Sequence, residues 1–183
     1  GQDGANEKFY EINLSLFPDV NLSQILSINV VVEGTQNPDA AGNFEIRFGN
    51  YPFIPEVAPG SNTQITPLES LLQGAIDSDG PPPNNAVTVS FTLLSDTQAR
   101  IDYDLDETGF AGIFHFFDDP VTGPMESIDL SSQGALVIGA QHSSTGKLRF
   151  ELEDTAHLKQ AVRLIGQDGA NEKFYEINLS LFP

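Results

Sequence analysis

Alternation of apolar and polar residues with a period of two runs through most of the chain. In residues 9–17 (FYEINLSLF), Tyr10, Ile12, Leu14 and Leu16 share one face, and Glu11, Asn13 and Ser15 share the other. That is the mark of a half-buried strand. Similar runs, rich in β-branched and aromatic residues, lie at 25–32, 44–48, 87–93, 100–105, 110–117, 135–138, 148–152 and 160–165. Gly, Pro, Asn and Asp collect between them. Helical spacing occurs only at 67–73, where Leu68, Leu71 and Leu72 form a short apolar edge. About nine distinct strands with at most one short helix predict an all-β chain, an antiparallel β-sandwich of the jelly-roll kind.

One of these strands occurs twice. The first 18 residues, GQDGANEKFYEINLSLFP, return unchanged as the last 18, which leaves 165 distinct positions among 183. Phe174, Tyr175, Ile177, Leu179 and Leu181 therefore repeat Phe9, Tyr10, Ile12, Leu14 and Leu16. Identity at every position points either to a window on near-identical tandem repeats or to a copied segment. A period of 165 far exceeds the roughly 20–50 residues of a solenoid repeat, so each unit should be a whole domain. A sandwich has one place for this strand, and an exposed apolar spare would invite aggregation. Donation to a neighbouring copy resolves the mismatch and makes a head-to-tail joint that can propagate.

The stretches 56–64 and 77–85 hold proline, glycine and small polar residues, including Pro81, Pro82 and Pro83. Consecutive prolines favour an extended, stiff segment. The expected organisation is thus residues 1–55 as the C-terminal part of one sandwich, 56–85 as a linker, and 86–183 as the N-terminal part of the next. From Ala99 the order ARIDYDL, GFAGIFHFF, Asp129-Leu130-Ser131-Ser132, ALVIGA, LRFELED, AVRLIG and KFYEINLSLF continues, by wrapping, into Asn21-Leu22-Ser23-Gln24-Ile25 and an Ile/Val-rich strand. This succession of strands and turns resembles the galactose-binding-like jelly roll of non-catalytic carbohydrate-binding modules. It covers 87–183 and 1–55. The resemblance implies a polysaccharide-binding groove on a concave sheet.

Composition narrows the chemistry. Acidic residues outnumber basic ones 26 to 8, for a formal charge of −18. Such a surface repels phosphate backbones and anionic lipid, so nucleic acid is not an expected partner. There is no cysteine, which removes disulfides, thiolate metal sites and cysteine nucleophiles. No apolar run reaches the roughly 18 residues of a membrane span. His115, His142 and His157 lack metal-site spacing, and neither a nucleophile elbow nor a phosphate loop is present. No enzyme is expected.

Asp102, Asp104 and Asp106, with Glu107, put hard oxygen donors on alternate positions, the donor type calcium prefers. The same alternation follows if Ile101, Tyr103 and Leu105 are simply the buried face, in which case a cation or a nearby arginine would relieve carboxylate repulsion. Glu151, Glu153 and Asp154 form another acidic group. Candidate sugar contacts are Tyr51, His115, Arg149 and Arg163, with Asn29, Glu11 and Asn13 also outward by alternation and Phe114 and Phe116 as possible stacking surfaces. The expected role is mechanical: a repeat unit of an extracellular or cell-surface filament, sheath or adhesin shaft whose partners are copies of itself.

Overall fold

Strand-forming runs without helices between them must cover their apolar faces with one another, and here they do so as two sheets. The computed structural model describes residues 8–36, 41–49, 62–64, 72–78, 88–105, 109–117, 126–143 and 147–164. The first sheet holds β1 (Lys8–Asn13), β3 (Ala41–Arg47), β4 (Thr63–Gln64), β6 (Thr88–Ser95), β7 (Gln98–Asp104) and β9 (Ala135–His142). Its order is β1-β9-β3-β7-β6, with the short β4 parallel to β9 and the other pairings antiparallel. The second holds β2 (Ile25–Glu33), β5 (Leu72–Ser78), β8 (Phe110–Phe116), β10 (Leu148–Asp154) and β11 (Lys159–Leu164), in the antiparallel order β11-β10-β2-β8-β5. The chain crosses repeatedly from one sheet to the other, as in a jelly roll. The expected all-β sandwich is what forms.

The inner faces meet in one core. Ile12, Leu14, Phe44, Ile46, Ile101, Leu136 and Ile138 come from the first-sheet side, and Ile28, Val30, Val32, Ile113, Phe150 and Leu152 from the second. Phe17 meets Phe150 edge to face at 6.0 Å between ring centroids. Burial of each such side chain contributes on the order of 1.5–3 kcal/mol, so this apolar interior is the main source of cohesion.

Three expectations need correction. All nine predicted runs are strands, but residues 9–17 are not strand throughout: β1 ends at Asn13, and Leu14–Leu16 form a 310 turn. The Asn13 side chain accepts a hydrogen bond from the Ser15 N–H, which competes with further pairing. The turn leaves Leu16 half-buried and sends Phe17 into the core. Next, the presumed helix and linker contribute strands: Leu72 and Gln73 belong to β5, and β4 also falls within 56–85. Their pairing with β8 and β9 offers backbone bonds that seven residues of helix could not match. Among the described residues there is no α-helix. Finally, strands from both sides of 56–85 share both sheets, with β2 between β10 and β8 and β3 between β9 and β7. Residues 56–85 therefore do not divide two sandwiches.

Two turns of the same design lock the sheets at one end. Asn21 Oδ1 accepts from the Ser23 N–H and hydroxyl, and Asp129 Oδ1 accepts from the Ser131 N–H and hydroxyl. The turns are joined where the Leu130 N–H donates to the Leu22 carbonyl at 2.8 Å and Ile25 bridges Ile128. Beside them Asp154, buried at 1% exposure, accepts from the backbone N–H groups of Asn21, Ala156 and Leu158. Removal from water pushes this carboxyl up, yet the three donors outweigh it and hold the group below its usual range.

Asp154→Ala should lower unfolding stability by about 2 kcal/mol, because three part-buried N–H groups lose a charged acceptor. The advantage of wild type over Asp154→Asn should be complete above about pH 4, the ordinary aspartate value. It should then be lost as pH falls through the depressed folded value. Urea titrations at several pH values check this; a gap that stays constant down to pH 2 contradicts it.

Candidate functional site

The duplicated strand has a definite seat. β1 lies at the rim of the first sheet, and its six residues pair with β9 from Lys8 opposite Ala140 to Asn13 opposite Ala135. Tyr10, Ile12 and Leu14 are 5%, 0% and 1% exposed, and Phe9 pairs through its backbone with Gly139. The Leu14 N–H continues the contact to the Gly134 carbonyl, and the Thr63 hydroxyl donates to Glu11 on the outer face. Four apolar side chains thus enter the core from this segment, Tyr10 and Ile12 from a strand with one described neighbour and Leu14 and Phe17 from the turn that follows it. The second copy, Phe174, Tyr175, Ile177, Leu179 and Leu181, lies outside the described residues.

The outer face of the second sheet is a different kind of surface. Along β8, Ala111, Ile113 and His115 point into the core, so Phe114 and Phe116 point out, half-buried, with rings 6.3 Å apart and 15° from parallel. Gly112 makes room for this: a Cβ there would sit 3.0 Å from the Phe114 ring. Opposite Phe114 on β2 is Asn29, and opposite Asn29 on β10 is Glu151. Asn29 is 1% exposed, and among the described residues neither its amide oxygen nor its nitrogen has a hydrogen-bond partner. An amide left so costs about 1–3 kcal/mol. Alternation placed Asn29 outward; that it would be covered and unsatisfied has no counterpart in the sequence.

Arg149 and Arg163 face each other across β10 and β11 on this same side. Arg149 pairs with Glu33 and reaches Glu151 at 3.5 Å, which offsets the repulsion of two guanidinium groups. Below them Glu153, 7% exposed, accepts from the Ser27 hydroxyl and pairs with Lys159 at 3.2 Å and with His157 at 2.9 Å. Burial pushes this carboxyl up, but its three partners hold it below the usual range. Glu151, Glu153 and Asp154, the acidic group singled out on β10, are therefore each engaged by the protein itself.

His115 does not line a groove. It is fully buried, 4.7 Å between ring centroids from Phe48 and 5.0 Å from Phe117. It occupies an inward register position, where an imidazole packs as an aromatic. Desolvation lowers it to about 4. In the acidic row, Asp102 is taken by Arg100, whose Nη2 lies 2.6 Å from Asp102 Oδ1, and this bond holds the carboxyl low. Arg100 also reaches Glu45. Repulsion along that face is thus relieved by an arginine. Asp104 is exposed, while Asp106, Glu107 and Tyr51 lie outside the described residues. Among the described residues, no three His, Asp or Glu side chains converge as a metal site would need.

Comparison with protein-family models, with curated proteins and with solved structures finds no match to this chain.

Between about pH 6.5 and 4 the unfolded chain binds a proton at His115 that the folded chain refuses. The contribution of this group to stability should therefore fall by roughly 3 kcal/mol across that window and level off below it. In His115→Phe this slope should vanish; parallel pH profiles for the two proteins contradict the assignment.

Proposed function

We propose that this chain is a structural unit of an extracellular or cell-surface filament, sheath or adhesin shaft, joined to copies of itself through the duplicated strand. The carrying observation is that β1 sits on a sheet rim, where a strand can enter or leave without threading between others. The identical segment at the other end of the sequence brings the same Tyr, Ile and Leu positions for the same seat. Full β-pairing together with several buried side chains makes a joint that dissociates slowly. The charge of −18 keeps neighbouring shafts apart except where specific contacts form.

Removing residues 166–183 should convert concentration-dependent assemblies, read by light scattering after size exclusion, into single units. An unchanged mass distribution, or a full chain that is a single unit at all concentrations, contradicts strand donation.

A second reading, a carbohydrate-binding module, is favoured by one specific observation, the unsatisfied Asn29 amide beside the paired rings of Phe114 and Phe116. Sugar hydroxyls would satisfy an amide and guanidinium groups, and a pyranose face stacks on flat aromatic rings. Polysaccharide binding should then weaken about tenfold, roughly 1.4 kcal/mol, in Phe114→Ala. A glycan array without a hit rejects this reading.

A further inference from the structure

The seat of β1 lies close to the place where the second copy of its sequence begins. β6 and β5 are the last strands of the two sheets on one flank, and they approach each other closely. β1 and β11 are therefore the outer strands of the opposite flank. Across that flank the Asp19 N–H, just beyond the first copy, donates to Gln160 Oε1 on β11 at 3.1 Å. The strand ends match as well. β9 finishes at His142 and β10 starts at Leu148, so these two points share one end of the sandwich. Lys8, the first residue of β1, stands opposite Ala140 of β9, and Leu164, the last of β11, stands opposite Leu148 of β10. β11 thus stops at the end and flank from which β1 starts. Residues 165–172 alone separate Leu164 from Lys173, the counterpart of Lys8. Eight residues span up to roughly 26 Å when extended, against about 10 Å between packed sheets.

We propose that residues 173–178 replace residues 8–13 beside β9 of the same molecule, so that one seat exchanges between two occupants of one chain. Identity selects the occupant. Tyr175, Ile177, Leu179 and Phe182 repeat Tyr10, Ile12, Leu14 and Phe17, so the second copy offers the seat every side chain that the first does. What differs is the tether. The first copy is held through residues 18–20 to the Asn21 turn, and the second through residues 165–172 to β11. Loop-closure cost grows slowly with length, so tethers of three and eight residues differ by a factor of about four in occupancy. Among the described strands β1 pairs with β9 alone, so the exchange threads nothing. It goes beyond strand donation because no second chain of charge −18 has to approach. When the second copy is seated the first is released, and the strand free to enter a neighbour's seat changes from the C-terminal copy to the N-terminal one.

Substitutions in one copy at a time test this in the full chain. Ile12 is 0% exposed. Ile12→Asp/Ile177→Asp, which spoils both copies, should lower the folding constant, read by urea titration, by about a hundredfold or more. Ile12→Asp alone should stay within about tenfold of wild type, because the second copy takes the seat. It should do so as a single unit by light scattering, with a midpoint independent of protein concentration. Ile177→Asp should match wild type, and the milder Ile12→Ala and Ile12→Ala/Ile177→Ala should rank in the same order. An Ile12→Asp chain as unstable as the double variant overturns the proposal. So does one that folds only in multimers, since the second copy then serves other molecules and not its own, an outcome that leaves strand donation standing. Single-unit rescue of Ile12→Asp in a protein whose wild type never multimerises upholds the exchange and counts against donation alone.

Discussion

The pairing of β1 with β9 is the contact on which the account turns. It closes one side of the first sheet, places Tyr10, Ile12 and Leu14 over the core, and leads through the Asn13-capped turn to Phe17 against Phe150. Take it away and β9 loses a full ladder while the core loses a wall. Yet it is a rim strand, held from one side. The proposed exchange between molecules needs a strand of this kind, built into the core yet with one neighbour among the described strands, and its sequence is present twice. The interior, by contrast, is built from strands with neighbours on both sides: β2 lies between β10 and β8, and β3 between β9 and β7.

Polar groups divide by whether the protein satisfies them. Asp154, Glu153, Asp129 and Asn21 are each given donors by the backbone or by nearby side chains, and they fix turns. Asp102 is given Arg100. Asn29 alone among these lacks a partner in a buried setting, on the face where paired aromatic rings and two arginines gather. A fold that gives its buried carboxylates, Glu153 and Asp154, several donors each makes that amide the natural place to look for an outside partner.

Much of the architecture was legible because period-two alternation is a local signal with a single structural meaning. Each of the nine runs became a strand. β4 and β5 were missed because LQGAIDS and TQ owe their strand state to neighbours β8 and β9, distant in sequence, and not to their own composition. The end of β1 at Asn13 was hidden because alternation continues through Leu14 and Leu16, while a hydrogen bond from the Ser15 N–H to the Asn13 side chain decides the backbone. For the site, types were readable and surroundings were not. His115 interrupts an aromatic run in a way that suggests exposure, but register alone put it in the core. Asp102 reads as a cation ligand until Arg100, two residues away on the same face, is seen to hold it.

A chain of charge −18 gains little from broad contact with copies of itself, and β9, ALVIGAQH, carries no Asp, Glu, Lys or Arg on the seat that the proposed donation would use. A covalent trap reads that proposal directly. Glu11 stands opposite Val137, so Glu176 of a donated second copy would stand opposite Val137 of the receiving molecule. After oxidation of the Val137→Cys/Glu176→Cys chain, donation predicts a ladder of disulfide-linked multimers on a denaturing gel. A single band at the mass of one chain, whether unlinked or closed on itself, would contradict it.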